Sequence, residues 1–147
     1  MKAVLQRVSR ASVTVDGQKV AEIGSGILAL VGVERGDSDA DVDYLFRKIS
    51  EIRMFEDAEG KMNLSVRDAG GSVLLVSQFT LCATTKKGRR PGFDDAAAPE
   101  LAEQLYERLA AKLRESGLPT QTGRFAARMD VELVNQGPVT FLLDSRR

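Results

Sequence analysis

The apolar positions fall into short runs with two different periods. Residues 1–8 carry Val4, Leu5 and Val8 and read as a first strand, with Arg7 as a cation facing outward. Ser12-Val13-Thr14-Val15 alternates polar and apolar at the period of a half-buried strand. Asp16-Gly17 then supplies a turn pair that tolerates positive φ, and residues 20–23 read as the return strand of a hairpin. Residues 26–33 are apolar on both faces, which predicts a strand at the centre of a sheet. Ser38 with Asp41 marks a helix start, and Val42, Leu45, Phe46, Ile49 and Ile52 fall on one helical face.

Asp57-Ala58-Glu59-Gly60 is turn chemistry, with Met62 and Leu64 returning to the core. A glycine pair leads into Val73-Leu74-Leu75-Val76, a buried strand that ends on Ser77-Gln78-Phe79-Thr80-Leu81. Pro99 opens a second helix, where its missing N–H costs least, with Leu101, Leu105, Leu109 and Leu113 as its buried stripe and Gly117 with Pro119 as its stop. An alternating run over residues 129–134 and a last apolar strand, Phe141-Leu142-Leu143, close the chain. The pattern predicts one α+β domain over residues 1–147, a mostly antiparallel, barrel-like sheet packed with two main helices.

Composition narrows the chemistry. The 147 residues include no histidine and one cysteine, Cys82. The usual proton shuttle near neutral pH is therefore missing, and with it the Ser-His-Asp and Cys-His arrangements. A zinc site would need carboxylates almost alone, and no calcium-loop spacing appears, so neither metal nor cofactor is expected. Cys82 has no partner for an internal disulfide, no signal-peptide pattern precedes the first strand, and no apolar run approaches a membrane span. A cytoplasmic location follows as an expectation. Lys plus Arg and Asp plus Glu both number 21, so any nucleic-acid contact must come from a local patch. Such a patch exists in Lys86-Lys87-Gly88-Arg89-Arg90, which reads either as a solvated loop or as a phosphate contact.

Two stretches carry candidate chemistry: Ser77-Gln78-Phe79-Thr80-Leu81, where a strand ends in two hydroxyls, an amide and a ring, and Gly137-Pro138-Val139-Thr140. Together, and with Leu5-Gln6-Arg7-Val8, Gly60-Lys61-Met62-Asn63-Leu64 and Thr122-Gly123-Arg124-Phe125, they resemble the D-aminoacyl-tRNA deacylases nearly end to end. The resemblance implies hydrolysis of the ester between a D-amino acid and the terminal adenosine of tRNA, with glycyl-tRNA as a further substrate. It also implies a homodimer with two active sites at the subunit interface. Ser77, Gln78, Phe79 and Thr80 would form the catalytic stretch, with the Phe79 and Thr80 amides holding the developing oxyanion and the ribose 2′-OH assisting the attacking water. Gly137 and Pro138, joined by a cis bond, would enter the partner's site and reject L substrates. Arg7 would brace that loop through carbonyl contacts.

On the same resemblance Phe125 and Met129 would line the pocket, although plain core packing accounts for either equally well. Lys86, Lys87, Arg89 and Arg90 would meet acceptor-stem phosphates. A threonine nucleophile requires an adjacent base, and none is visible for Thr80, which favours a positioning role. Of the rivals, a nucleic-acid-binding module without hydrolysis would want a broad basic face and stacking aromatics, and aromatics are only 5% of this chain. A sister deacylase acting on mischarged L-alanyl-tRNA would carry a different central motif, and a hydrolase of some other small ester would lack a proton shuttle.

Overall fold

A computed structural model describes residues 1–147 and shows eight strands and two α-helices. Strand β1 (Lys2–Val15) is the spine: β3 (Gly26–Gly32) pairs with its first half, β2 (Gln18–Ile23) with its second half, and β8 (Asp130–Asp144) runs along most of its length, all antiparallel. The two runs read separately at the start of the sequence are thus one strand, and so are the two at its end. The β1–β2 turn has positive φ at both Asp16 (50°) and Gly17 (76°), as a two-residue hairpin turn of type I′ requires.

Beyond β3 the sheet continues through β6 (Ser72–Ser77) to β7 (Thr120–Thr122), and both of these pairings are parallel. Parallel neighbours need a long crossover, usually helical. Helix α1 (Asp39–Glu51) and the small β4 (Phe55–Glu56)–β5 (Met62–Leu64) hairpin make the first crossover, and helix α2 (Pro99–Glu115) makes the second. The sheet is therefore mixed, with its antiparallel part built on β1. It curls until β2 meets β7, where the Glu22 N–H donates to Gln121 Oε1 at 2.8 Å, so the barrel is nearly closed.

The double-sided strands now have a reason. Ile27, Ala29 and Val31 of β3 and Val73 and Leu75 of β6 face α1 and α2, in one core with Val42, Leu45, Ile49, Leu105, Leu109 and Leu113. Leu28, Leu74 and Val76 face the other way, into the barrel, against Val8, Val13 and Ile23. Gly26 lets β3 and β6 approach at their start, since a Cβ there would stand 1.9 Å from the Ser72 carbonyl oxygen. Helix α1 begins with the expected capping box of Ser38 and Asp41, and α2 begins at Pro99. Met62 departs from expectation: it is exposed on the β4–β5 hairpin, while Leu64 packs against the core.

Candidate active site

The end of β6 is where the sequence places its unusual residues, and the chain there does not simply run on as a strand. After Ser77 it turns, with Gln78 at φ −143° and ψ 79°, into a 3-10 turn over Phe79–Cys82. The turn is fastened on both sides. The Gln78 N–H donates to the Val31 carbonyl at 2.7 Å, and the buried Cys82 thiol donates to the Val33 carbonyl at 3.4 Å. Close contact with β3 is possible because residue 32 is glycine: a Cβ there would lie 2.9 Å from Cys82 Sγ and 3.0 Å from the Gln78 carbonyl oxygen. Helical turns leave their first N–H groups without internal partners. Here the ladder begins with Leu81 N–H donating to the Gln78 carbonyl at 3.2 Å, so the Phe79 and Thr80 N–H groups have no partner within the turn.

Beside this turn a cavity of about 450 Å³ opens between the barrel mouth and the start of α2. Ser77, Gln78 and Phe79 form one edge, Phe125, Met129 and Val131 another, and Val33, Ala97 and Pro99 close the helix side. The expected pocket residues Phe125 and Met129 are thus brought to the same cavity as the central motif. Phe125 also packs on Tyr106 (ring centroids 6.1 Å apart), whose hydroxyl donates to the Leu75 carbonyl at 2.8 Å. For this residue packing and lining are the same fact. The cavity is mainly apolar; Thr80 follows Phe79 in the turn but does not line it, and its hydroxyl oxygen accepts a hydrogen bond from the Gln78 side-chain amide. No group of three or more His, Cys, Asp or Glu side chains is placed to hold a metal ion.

The cationic run lies close by. Thr84 and Gly92 exchange main-chain hydrogen bonds (2.8 and 2.9 Å), which folds residues 85–91 into a loop projecting from the site. Lys86, Lys87, Arg89 and Arg90 are all exposed on it, and none makes an ion pair. Phe93, just past the staple, packs on Phe79 with centroids 5.1 Å apart, tying the loop to the pocket rim. Phe79 itself is 56% exposed, unusual for a large apolar side chain.

Gly137 and Pro138 are not part of that cavity within one chain. Their peptide bond is cis, and they stand exposed on β8 where its pairing with β1 is interrupted. Arg7 differs from an outward-facing strand arginine: it is only 9% exposed, and its guanidinium donates to the Met54 carbonyl at 3.0 Å and lies 3.8 Å from Glu56. Its side chain makes no hydrogen bond to Gly137 or Pro138 of its own chain, and its Nε has no partner, although Gln136 shares a shallow pocket with it. The intrachain support for the loop comes from Asn135, whose Nδ2 donates to the Arg7 main-chain carbonyl at 3.0 Å. Asn135 and Met54 were not singled out in the sequence; an asparagine two residues before a Gly-Pro pair was the available signal.

Fold and site together define a small α+β barrel protein with a mainly apolar cavity at its mouth, into which the polar strand end Ser77-Gln78 is brought. Residues 4–144 match the family model for D-Tyr-tRNA(Tyr) deacylase, and the chain belongs to that family. It is 57% identical to a D-aminoacyl-tRNA deacylase of Symbiobacterium thermophilum, covering 100% of this chain and 97% of that protein. It is 58% identical to one from Anaeromyxobacter dehalogenans, covering 100% and 99%. A solved structure described as c-Myc DNA Unwinding Element Binding Protein is also similar, with a TM-score of 0.92 and 42% identity over 98% of each chain. No helix is long and apolar enough to cross a membrane.

Proposed function

We propose that this chain hydrolyses the ester joining a D-amino acid to the 3′-terminal adenosine of tRNA, releasing free tRNA and the D-amino acid in the cytoplasm. The full-length family match carries this reading, and the site supports a mechanism for it. Water adds to the ester carbonyl, whose oxygen becomes an oxyanion held by the Phe79 and Thr80 N–H groups. The bond from carbon to O3′ then breaks, and a proton from the attacking water ends on O3′. An aminoacyl ester is already activated, so donors positioned in advance suffice where no histidine exists. The ribose 2′-OH orients or activates the water. Ser77 and Gln78 shape the rim, and Gln78 holds the Thr80 hydroxyl, so that Thr80 positions rather than attacks.

Two copies form a homodimer, each inserting Gly137-Pro138 into the other's cavity. The exposure of this pair, its absence from the lining of its own chain's cavity and the unpartnered Arg7 Nε support that arrangement. Arg7 then braces the inserted loop. Carbonyl oxygens of Gly137 and Pro138 accept hydrogen bonds from the substrate ammonium, so an L side chain collides with main chain while a D side chain points to solvent. Glycine has no side chain to collide, which makes glycyl-tRNA a substrate as well. Phe125 and Met129 line the cavity, and Lys86, Lys87, Arg89 and Arg90 meet backbone phosphates beside it.

Matched D- and L-tyrosyl-tRNA, together with the D-ester on a 2′-deoxyadenosine terminus, test this directly. Only the D-ester on a normal ribose should be hydrolysed. Equal turnover of the deoxy substrate would remove the 2′-OH from the mechanism, and turnover of neither D-ester would remove the activity. A second reading, nucleic-acid binding without hydrolysis, is favoured by the unpaired basic loop and by the description of the 42% identical structure. It expects tight binding of the uncharged strand and no ester cleavage, so the same assay separates the two.

A further inference from the structure

We infer that Asn135 is a positioning residue for chiral selection: its side-chain amide closes the base of the Gly137-Pro138 loop and fixes where that loop's carbonyls point. This goes deeper into the proposed handedness gate and rests on it. In the β1–β8 ladder Gln6 faces Thr140 and Val8 faces Asn135, so residues 136–139 have only Arg7 opposite them. The surplus residues must bow out of the sheet, and a bulge of this kind disrupts the ladder at its foot. Main-chain carbonyls there need donors from elsewhere. Asn135 Nδ2 supplies them, donating to the Arg7 carbonyl at 3.0 Å and to the Val139 carbonyl at 3.1 Å. The first bond ties the bow across to β1. The second joins its two ends along β8, so the bow cannot widen or slide without breaking one of them.

The other side-chain atom of the same amide sets the inner limit. A Cβ on Gly137 would lie 3.2 Å from Asn135 Oδ1, so the turn of the bow already sits against this oxygen. Both halves of the amide are therefore engaged, one with the foot of the bow and one beside its tip. A gate that separates mirror-image substrates by collision depends on main-chain position, and a misplacement near 1 Å costs on the order of 10²-fold in well-oriented reactions.

Asn135→Asp is nearly isosteric and sets an acceptor opposite two carbonyl oxygens, while Asn135→Ala removes the donors without adding charge. Single-turnover hydrolysis of D- and L-tyrosyl-tRNA should show the D-to-L rate ratio falling by about tenfold or more in both, the scale of one lost hydrogen bond or more. Asn135→Ser, which retains a short donor, should recover part of the ratio lost in Asn135→Ala. A merely structural role would lower the amount of active enzyme and scale both rates together. An unchanged ratio in the folded variants overturns the inference. Pro138→Ala, run alongside, separates the two ideas. If it destroys the ratio while the Asn135 variants keep it, only the clamp is wrong. If it too leaves the ratio intact, the handedness gate is wrong and the clamp falls with it.

Discussion

The 3-10 turn over Phe79–Cys82 and the bow at residues 136–138 both offer main-chain polar groups, yet they are supported in opposite ways. The turn is rooted in the core: Val73, Leu74, Leu75 and Val76 before it are fully buried, and Gln78 and Cys82 bond to the carbonyls of Val31 and Val33, on either side of Gly32. The bow itself is exposed: only its return end, Val139, is buried in the core, and its base is tied across by one asparagine amide. On the proposed mechanism the turn supplies N–H donors for the ester oxygen and the bow supplies carbonyl acceptors for the substrate ammonium. Within one chain they do not line the same cavity. In the proposed dimer these are the rigid half and the outward-facing half of one shared site, and the difference shows where each kind of damage should appear.

The largest effect should come from removing a donor on the rigid half. Phe79→Pro deletes one N–H at the first position of the turn, where a proline ring is tolerated. On the proposed mechanism kcat for D-tyrosyl-tRNA should fall by about 10²–10³-fold, with little change in melting temperature. Phe79→Leu keeps the N–H and should cost far less. Thr80→Ala should stay folded and retain most activity, and no acyl-enzyme should be trapped on Thr80 in the unaltered protein. Similar losses in Phe79→Pro and Phe79→Leu, or an ester on Thr80 seen by mass spectrometry, would sink the main-chain account.

Next in size is the basic loop, which is attached to the rigid half through Phe93 and Phe79. Changing Lys86, Lys87, Arg89 and Arg90 to glutamine should raise KM for tRNA. It should also flatten the plot of log affinity against log salt by up to about 3 to 4, the slope expected for four phosphate contacts. The kcat on a short adenosine ester should be unaffected. An unchanged salt slope would mean the loop is merely solvated.

Two glycines put the comparison most sharply. Gly32→Ala drives a Cβ against Cys82 Sγ and the Gln78 carbonyl oxygen, within the core-rooted half. Overpacking of this kind costs about 1–3 kcal/mol, so a lower melting temperature and a lower rate should appear together. Gly137→Ala meets only Asn135 Oδ1, in the exposed half. It should leave the melting temperature nearly unchanged while lowering the D-to-L ratio. If both glycines gave the same phenotype, the division into a rigid half and an outward half would be wrong.

Legibility in the sequence follows the same division. Signals that act over a few residues were readable: the Asp16-Gly17 turn, the Ser38–Asp41 capping box, Pro99, and the double-sided apolar runs at β3 and β6. The polar strand end Ser77–Leu81 stood out from its own residues, while family likeness gave it and Gly137-Pro138 their roles and drew attention to Phe125 and Met129. What depended on distant pairing was not readable. β1 continues through residues 9–11 because β8 pairs along both of its halves, with register shifts near Val8, and no local pattern announces a bulge. The 3-10 turn after Ser77 depends on the Val31 and Val33 carbonyls, which belong to another part of the chain. Arg7 looked like a surface cation because its burial is set by Met54 and the β4–β5 hairpin, some 47 residues away in sequence. Asn135 drew no notice in the sequence, because its two carbonyl acceptors come together only in the folded ladder.

The smallest effect tests how firmly the rigid half is rooted. Cys82 is 2% exposed beneath the turn, and burial pushes its pKa up to about 11 from an ordinary 9.0, with the nearby Glu34 carboxylate acting in the same direction. At neutral pH it is therefore a protonated thiol engaged with the Val33 carbonyl, and alkylating reagents should reach it only on unfolding. The sign of the linkage follows from the proton count. Between the unfolded and folded pKa values the native state holds a proton that the unfolded chain has released, so stability falls as pH rises. The contribution is intact below about 9 and is lost through about 11. Tyr106, whose pKa burial also raises, acts in the same direction at higher pH. Denaturant melts of the unaltered protein and Cys82→Ser, compared from pH 8 to 11, isolate the thiol because serine does not ionise in that range. The unaltered protein should lose stability faster than Cys82→Ser above about pH 9, and the rate on D-tyrosyl-tRNA should decline with it as the turn loses its anchor. Parallel melting curves would mean that the Cys82 thiol titrates alike in the folded and unfolded chain and is not what anchors the turn.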